Sequence, residues 1–170
     1  MISFIPVTEK SFDKVYNKMK AAFPIEERRN SFDQKNCLNE DKFRFLEITD
    51  NEAEVGFIGL WAFDDFIFIE HIAIDSDKRG QGYGSKAINL VKEKFNKPII
   101  LEAEAPESEQ QIKRIEFYSR SGFKVNSFDY MQPSYHGGEG VPLKILSFPE
   151  MLSQKEFDNF ISLTRKYVYK

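Results

Sequence analysis

The sequence predicts a mixed α/β fold built around one twisted sheet and flanked by helices. Three observations carry that expectation. Short apolar runs bounded by turn residues alternate with stretches of helical periodicity. One run, Phe66 to Ile74, is apolar almost throughout, as expected of a central strand covered on both faces. A glycine-rich turn, Arg79-Gly80-Gln81-Gly82-Tyr83-Gly84, then leads into an amphipathic helix.

The elements follow in order. Ile2 to Val7 reads as a first strand, and Thr8 as the N-cap of a helix that Phe12, Val15, Tyr16, Met19 and Phe23 mark at helical spacing and Pro24 ends. A charged connector, Ile25 to Ser31, leads to a short helix over Phe32 to Leu38. Strands at Phe43 to Thr49 and Glu54 to Ala62 are joined by a turn at Asp50-Asn51, and Asp64-Asp65 turns the chain into the apolar strand. Ala87, Leu90, Val91 and Phe95 mark the helix after the glycine-rich turn. Next come a strand from Pro98 to Glu104 and a helix from Ser108 to Ser121 that Gly122 caps. Phe123 to Met131 and Leu143 to Phe148 read as strands either side of a loop containing Gly137-Gly138-Glu139-Gly140. Phe157, Phe160, Ile161 and Leu163 place a last helix over Ser153 to Tyr167.

A chain of 170 residues holds one well-cored domain, and no composition shift suggests an internal boundary; residues 151–170 read as a C-terminal helical extension of it. The net charge of -3 argues against a nucleic-acid or membrane-surface partner, both of which favour a basic excess. No apolar run approaches the roughly 18 residues of a membrane span, and Met1 to Pro6 lacks the basic flank of a secretory signal. Cys37, the single cysteine, cannot form an internal disulfide, which suits a reducing cytoplasm. With only His71 and His136 available, no metal centre is expected.

The glycine-rich turn is where chemistry concentrates. Successive small residues let several backbone amides point into one concavity, and the helix that follows adds its positive end. Phosphate is the usual occupant of such a site. The spacing fits neither the dinucleotide fingerprint G-x-G-x-x-G, whose third glycine would fall at Ser85, nor the P-loop, because Lys86 is preceded by Ser85 and followed by Ala87. The pattern present is R-x-x-G-x-G across Arg79, Gly82 and Gly84. It resembles the acyl-CoA-binding motif of the GNAT superfamily of N-acetyltransferases. The resemblance runs from Phe66 through the turn and returns at Phe117-Tyr118-Ser119-Arg120-Ser121-Gly122-Phe123, which is similar to that superfamily's F-Y-x-x-x-G-F signature.

The resemblance implies a mostly antiparallel central sheet, splayed beside the apolar strand around a groove for acetyl-CoA as co-substrate. It implies that the amides of Gln81, Gly82, Tyr83, Gly84 and Ser85, in a turn opened by Gly80 and ordered by Arg79, grip the pyrophosphate. It implies that the strand Ile72-Ala73-Ile74 offers backbone to the pantetheine arm. Arg114 falls among the CoA contacts, and Lys78, Lys86, Lys113 and Arg120 offer either a positive rim or merely solvated faces.

The reaction implied is direct attack of a primary amine, on a small molecule or peptide, upon the thioester in a ternary complex. Tyr118 then stands where the superfamily often has a tyrosine near the sulfur, as acid for the leaving thiolate; the plain alternative is a buried helix tyrosine. Glu70 is open to three roles: base, acceptor-binding anion or structural partner. The superfamily's usual base position aligns with the apolar Phe68, two residues before it on the same face. His71, on the opposite face, reads as a satisfied core or groove histidine. Acceptor contacts fall to Glu26 and Glu27, which with Glu70 favour a cationic amine, and to a loop carrying Tyr130 and Tyr135. A homodimer is an association common in the superfamily. The competing reading from another class is a non-catalytic acyl-CoA-binding or regulatory domain.

Overall fold

The computed structural model describes every residue from Met1 to Lys170. The chain divides into two compact units, Met1–Ile99 and Ile100–Lys170.

The first unit is a sheet of four strands in the order β1 (Ile2–Pro6), β2 (Phe43–Asp50), β3 (Ala53–Ala62), β4 (Ile67–Ile74), each antiparallel to the next. Three helices, α1 (Phe12–Ala22), α2 (Ser31–Asn36) and α3 (Tyr83–Phe95), complete it. In α1 the apolar stripe Phe12, Val15, Tyr16 and Met19 is buried, and the Phe12 ring meets Phe45 of β2 edge-on at 6.2 Å. The helix begins later than Thr8 suggests. The Thr8 amide donates to Ser11 Oγ at 3.0 Å, making a turn of Thr8–Ser11 and moving the cap to Ser11. The β2–β3 hairpin turns at Asn51-Glu52, where φ is 48° and 74°, one residue beyond the expected Asp50-Asn51. Positive φ at two successive residues is the turn whose twist matches an antiparallel pair.

The second unit carries all but the first residue of β5 (Ile99–Ala103), then α4 (Glu109–Arg120), β6 (Lys124–Val125), β7 (Met131–Gln132), β8 (Val141–Pro142), β9 (Lys144–Phe148) and α5 (Gln154–Tyr167). Strand β9 lies between β5 and β6, and β7 and β8 form a separate antiparallel pair. Both helices start in capping boxes, Ser108 with Gln111 and Ser153 with Glu156. The long strand expected over Phe123 to Met131 is broken into β6 and β7. Asn126 is the cause: its Nδ2 donates to Ser147 Oγ at 2.9 Å and Ile145 O at 3.2 Å, and its Oδ1 accepts from the Leu152 amide at 2.8 Å. A buried side chain bonded in three directions takes the place of ladder pairing. No helix in the chain is long and apolar enough to cross a membrane.

Candidate functional site

The turn after β4 has the conformation its glycines suggest. Gly80 and Gly82 sit at φ 76° and 82°, where any side chain is strained, and a Cβ added to either meets no atom within 4 Å. Gly82 is the N-cap of α3 and has no side chain to satisfy the helix amides. The first intrahelical bond runs from the Lys86 amide to Gly82 O at 3.1 Å, so the amides of Tyr83, Gly84 and Ser85 have no helical acceptor. Unfilled donors, an open left-handed turn and the positive end of a 13-residue helix make one anion-binding concavity. Arg79 Nε donates back to Ile74 O at 3.3 Å, tying the turn to the end of β4. Tyr83 hydroxyl donates to Asp50 Oδ2 at 3.2 Å, and the exposed Lys86 ammonium lies 5.5 Å from the Tyr83 ring centroid. Gln81 is exposed, and Ile72, Ala73 and Ile74 are half-buried, unlike the sealed Ile67, Phe68 and Ile69 before them.

Strand β4 carries a bulge that sequence periodicity does not reveal. Gly59 pairs with His71 and Leu60 with Ile69, leaving Glu70 as an extra residue. Its carboxylate is engaged on both oxygens: Oε1 accepts from Trp61 Nε1 at 2.8 Å and Oε2 pairs with Arg29 Nη1 at 2.9 Å. The Glu70 side chain has 0% of its surface exposed, although the residue as a whole is half-buried, so the exposure belongs to its main chain. Of the three roles open to Glu70, this placement supports the structural partner. Base or acceptor anion would require a sealed and doubly bonded carboxylate to come free.

The bulge also corrects the side of His71. A strict alternation puts Glu70 and His71 on opposite faces, but both latch onto the same stretch of chain. His71 Nε2 donates to Glu27 O at 2.8 Å, two residues from Arg29, and its ring meets Phe23 edge-on at 4.8 Å. An extra residue slips the alternation by one. Burial holds the His71 pKa below the usual imidazole value, and the flanking guanidiniums of Arg29 and Arg28 push the same way against the pull of Glu70. A His pKa depressed in the folded state means the unfolded chain binds more protons below about pH 6.5, so stability present above that pH falls on acidification. Thermal unfolding between pH 7.5 and 5.5 should therefore shift downward, and His71→Gln should remove that part of the shift.

Glu26 is exposed and Glu27 half-buried in a single 3-10 turn, Ile25–Glu27. Arg28 fixes the start of this segment by donating from Nε to Phe23 O and from Nη1 to Tyr16 hydroxyl, both at 2.9 Å.

In the second unit, Arg114 and Tyr118 lie one turn apart on α4. The Tyr118 ring is buried between Phe117 and Phe123, at 5.1 and 5.6 Å. Burial pushes its pKa up to about 12, opposed by the exposed Arg114 guanidinium. The hydroxyl bonds to no protein group, yet the one buried side-chain polar atom lacking a partner is Gln34 Nε2. The Tyr118 oxygen is therefore open to solvent at the end of a buried ring. Gln111 serves the capping box: its Oε1 accepts from the Ser108 amide at 2.9 Å and its Nε2 bonds Glu104.

One charged group escaped the sequence reading. Glu102, half-buried on β5, accepts from Tyr169 hydroxyl at 2.5 Å, from Gln132 Nε2 at 3.1 Å and from Tyr130 hydroxyl. Tyr130 is thus buried and bonded rather than free to contact an acceptor, and its pKa is pushed up by burial and by the Glu102 charge. Tyr135, half-buried, packs 5.3 Å from Tyr169. The signal for Glu102 was present: apart from Glu104 just beyond β5, it is the only charge in the run Ile99 to Ala105. No cluster of His, Cys, Asp and Glu could hold a metal ion.

The sequence pattern of the "Acetyltransferase (GNAT) family" matches residues 12–123. YjbC of Bacillus subtilis (strain 168), assigned as an acetyltransferase, is 33% identical over 145 residues, covering 83% of this chain and 73% of its own. A solved structure from Bacteroides thetaiotaomicron, assigned to the same family, is 29% identical with a TM-score of 0.91, covering 98% of both chains. The fold is also shared with Arabidopsis thaliana NAA60 solved in complex with acetyl-CoA, at 15% identity and TM-score 0.67, over 87% of this chain and 98% of that one.

Proposed function

This chain belongs to the acetyltransferase (GNAT) family, and from that membership we propose that it transfers the acetyl group of acetyl-CoA to a primary amine, on a small molecule or peptide, by direct attack within a ternary complex. The observation that carries the reading is the uncapped left-handed turn from Arg79 to Ser85. Its residues fit a pyrophosphate: nothing fills the space over Gly80 and Gly82, and the amides at the start of α3 lack acceptors. The amides of Gln81 to Ser85 hold the diphosphate, Arg79 keeps the turn in place, and the half-buried Ile72-Ala73-Ile74 backbone lies beside the pantetheine arm. Arg114 adds positive charge on α4.

In the transfer a C–N bond forms as the C–S bond breaks. The amine gives up its proton to water, and the sulfur leaves as a thiolate that water protonates. The Tyr118 hydroxyl keeps its own proton and donates a hydrogen bond to the sulfur as negative charge gathers there. The main chain at Glu70, left over by the bulge and exposed, offers polar groups to the oxygen on which charge develops. The acceptor ammonium is drawn by Glu26 and Glu27. The amine must arrive neutral or lose its proton on the enzyme, since a lysine-like group is only about 0.1% neutral at pH 7.4.

The test pairs binding with turnover. Acetyl-CoA at 100 times its dissociation constant should stabilise the fold by about 2.7 kcal/mol, while NAD and ATP at equal concentration do far less. Free thiol is then followed with a polyamine, an aminoglycoside and a peptide bearing a free amino terminus. Stabilisation with no amine-dependent thiol release from a broad panel would leave only the acyl-CoA-binding reading standing.

A further inference from the structure

Glu70 and Arg29 make a buried ion pair at 2.9 Å, with side chains 0% and 8% exposed. Burying two charges is costly, and an apolar pair of like volume often serves stability as well. Its location is more informative than its strength. Glu70 is the extra residue of the β4 bulge. Its other oxygen holds Trp61 of β3 at 2.8 Å, so the carboxylate spans from the neighbouring strand to the segment after α1. Arg29 is itself fixed: its Nη1 also donates to Gln34 Oε1 at 3.2 Å, and its carbonyl accepts from Tyr16 hydroxyl at 2.8 Å. Next to it, His71 bonds Glu27 O. Two adjacent residues of a bulge are therefore latched to two places in one short segment, the segment that carries Glu26 and Glu27.

A bulge interrupts the ladder that fixes strand main chain, so its peptide orientation must be held by something else. We propose that Arg29 and Glu70 are positioning residues: their ion pair aims the bulge main chain for acetyl transfer and keeps it in register with the 23–30 segment on the acceptor side. This rests on the acetyltransferase reading, and specifically on exposed main chain at Glu70 facing the reacting carbonyl. It assigns Glu70 a task that requires its charge but neither gains nor loses a proton.

The experiment compares wild type with Glu70→Gln, Arg29→Lys and the double variant Arg29→Met with Glu70→Met, all followed by thiol release with whichever of spermidine, kanamycin or a free-amino-terminus peptide the wild type uses best. Glu70→Gln keeps an acceptor for Trp61 but strands the Arg29 charge, and it is the variant most exposed to misfolding. The double variant removes both charges and leaves an apolar pair, which keeps the comparison valid when the single fails to fold. Turnover per folded molecule should fall at least tenfold in the double variant and in Glu70→Gln, equally at every pH from 6.5 to 9.5. Stabilisation by acetyl-CoA should be unchanged, and Arg29→Lys should retain an intermediate rate. Turnover of the double variant within twofold of wild type would reduce the pair to a structural contact. Recovery of Glu70→Gln at high pH, where the amine deprotonates itself, would make Glu70 a base and overturn the proposal. Wild type that binds acetyl-CoA but acetylates no amine would remove the acetyltransferase reading, and this inference with it.

Discussion

A Gly82→Glu variant loses the thermal stabilisation that acetyl-CoA gives the wild-type chain. Two effects act at the same atom. At φ 82° a residue with a Cβ is strained, which costs roughly 1–2 kcal/mol of fold stability. The added side chain also starts in open space, where a Cβ meets nothing within 4 Å. On the proposed function that open space takes the diphosphate, so the new carboxylate opposes it both by volume and by charge at the end of α3 that favours anions. Gly82→Ala separates the two effects, because it carries the strain without the charge. The alanine variant should unfold at lower temperature and still respond to acetyl-CoA. The glutamate variant should unfold at a similar temperature and not respond, with at least a 100-fold weaker dissociation constant, or about 2.7 kcal/mol of lost binding. A glutamate variant stabilised like wild type would place the pyrophosphate elsewhere and remove the observation on which the functional reading stands.

Why this turn was legible in the sequence, and the role of Glu70 was not, is a matter of where the information lies. At Gly80 and Gly82 the backbone itself requires the residue type, so spacing along the chain reports conformation directly. The α4 signature behaves similarly, because Phe117, Tyr118 and Phe123 pack locally around Gly122 at φ 94°. The side of a strand residue is different. Alternation assigns it only while the ladder is unbroken, and the extra residue at Glu70 redirects two side chains at once. Nothing in Phe66 to Ile74 announces that bulge, since its partner is Arg29, brought in by the helical segment far earlier in the chain. Asn126 misled for a related reason: an asparagine inside an alternating run looks like a tolerated polar position. Its bonds to Ile145, Ser147 and Leu152 come from residues well beyond the run. The Glu102 cluster is the extreme case, since Tyr169 reaches it from 67 residues away. Local conformational demands could be read, and long-range polar pairing could not.

Tyr118→Phe should lower turnover by 10²-fold or more, with little change in acetyl-CoA affinity or fold stability. Stability should be nearly untouched, within about 0.5 kcal/mol, because the hydroxyl bonds to no protein group and the ring contacts with Phe117 and Phe123 persist in phenylalanine. A buried structural tyrosine would behave in the opposite way, since buried hydroxyls that matter to stability are bonded. Proton donation is constrained by the pKa, pushed up to about 12. A thiol near 8.5 is a stronger acid, so full transfer to a finished thiolate runs uphill. What the hydroxyl offers is a hydrogen bond that strengthens as negative charge gathers on sulfur, and the positive charge of Arg114 one turn away favours the same direction. Because Tyr118 stays protonated throughout the working range, the ratio of wild-type to variant turnover should be constant from pH 6 to pH 10. Pre-steady-state thiol release must first show that chemistry limits the rate, since slow product release would mask the change. With chemistry limiting, equal turnover in the two proteins would make Tyr118 a core residue whose oxygen merely reaches water. A ratio that shrank with rising pH would instead show the hydroxyl ionising within that range and would contradict the burial that surrounds it.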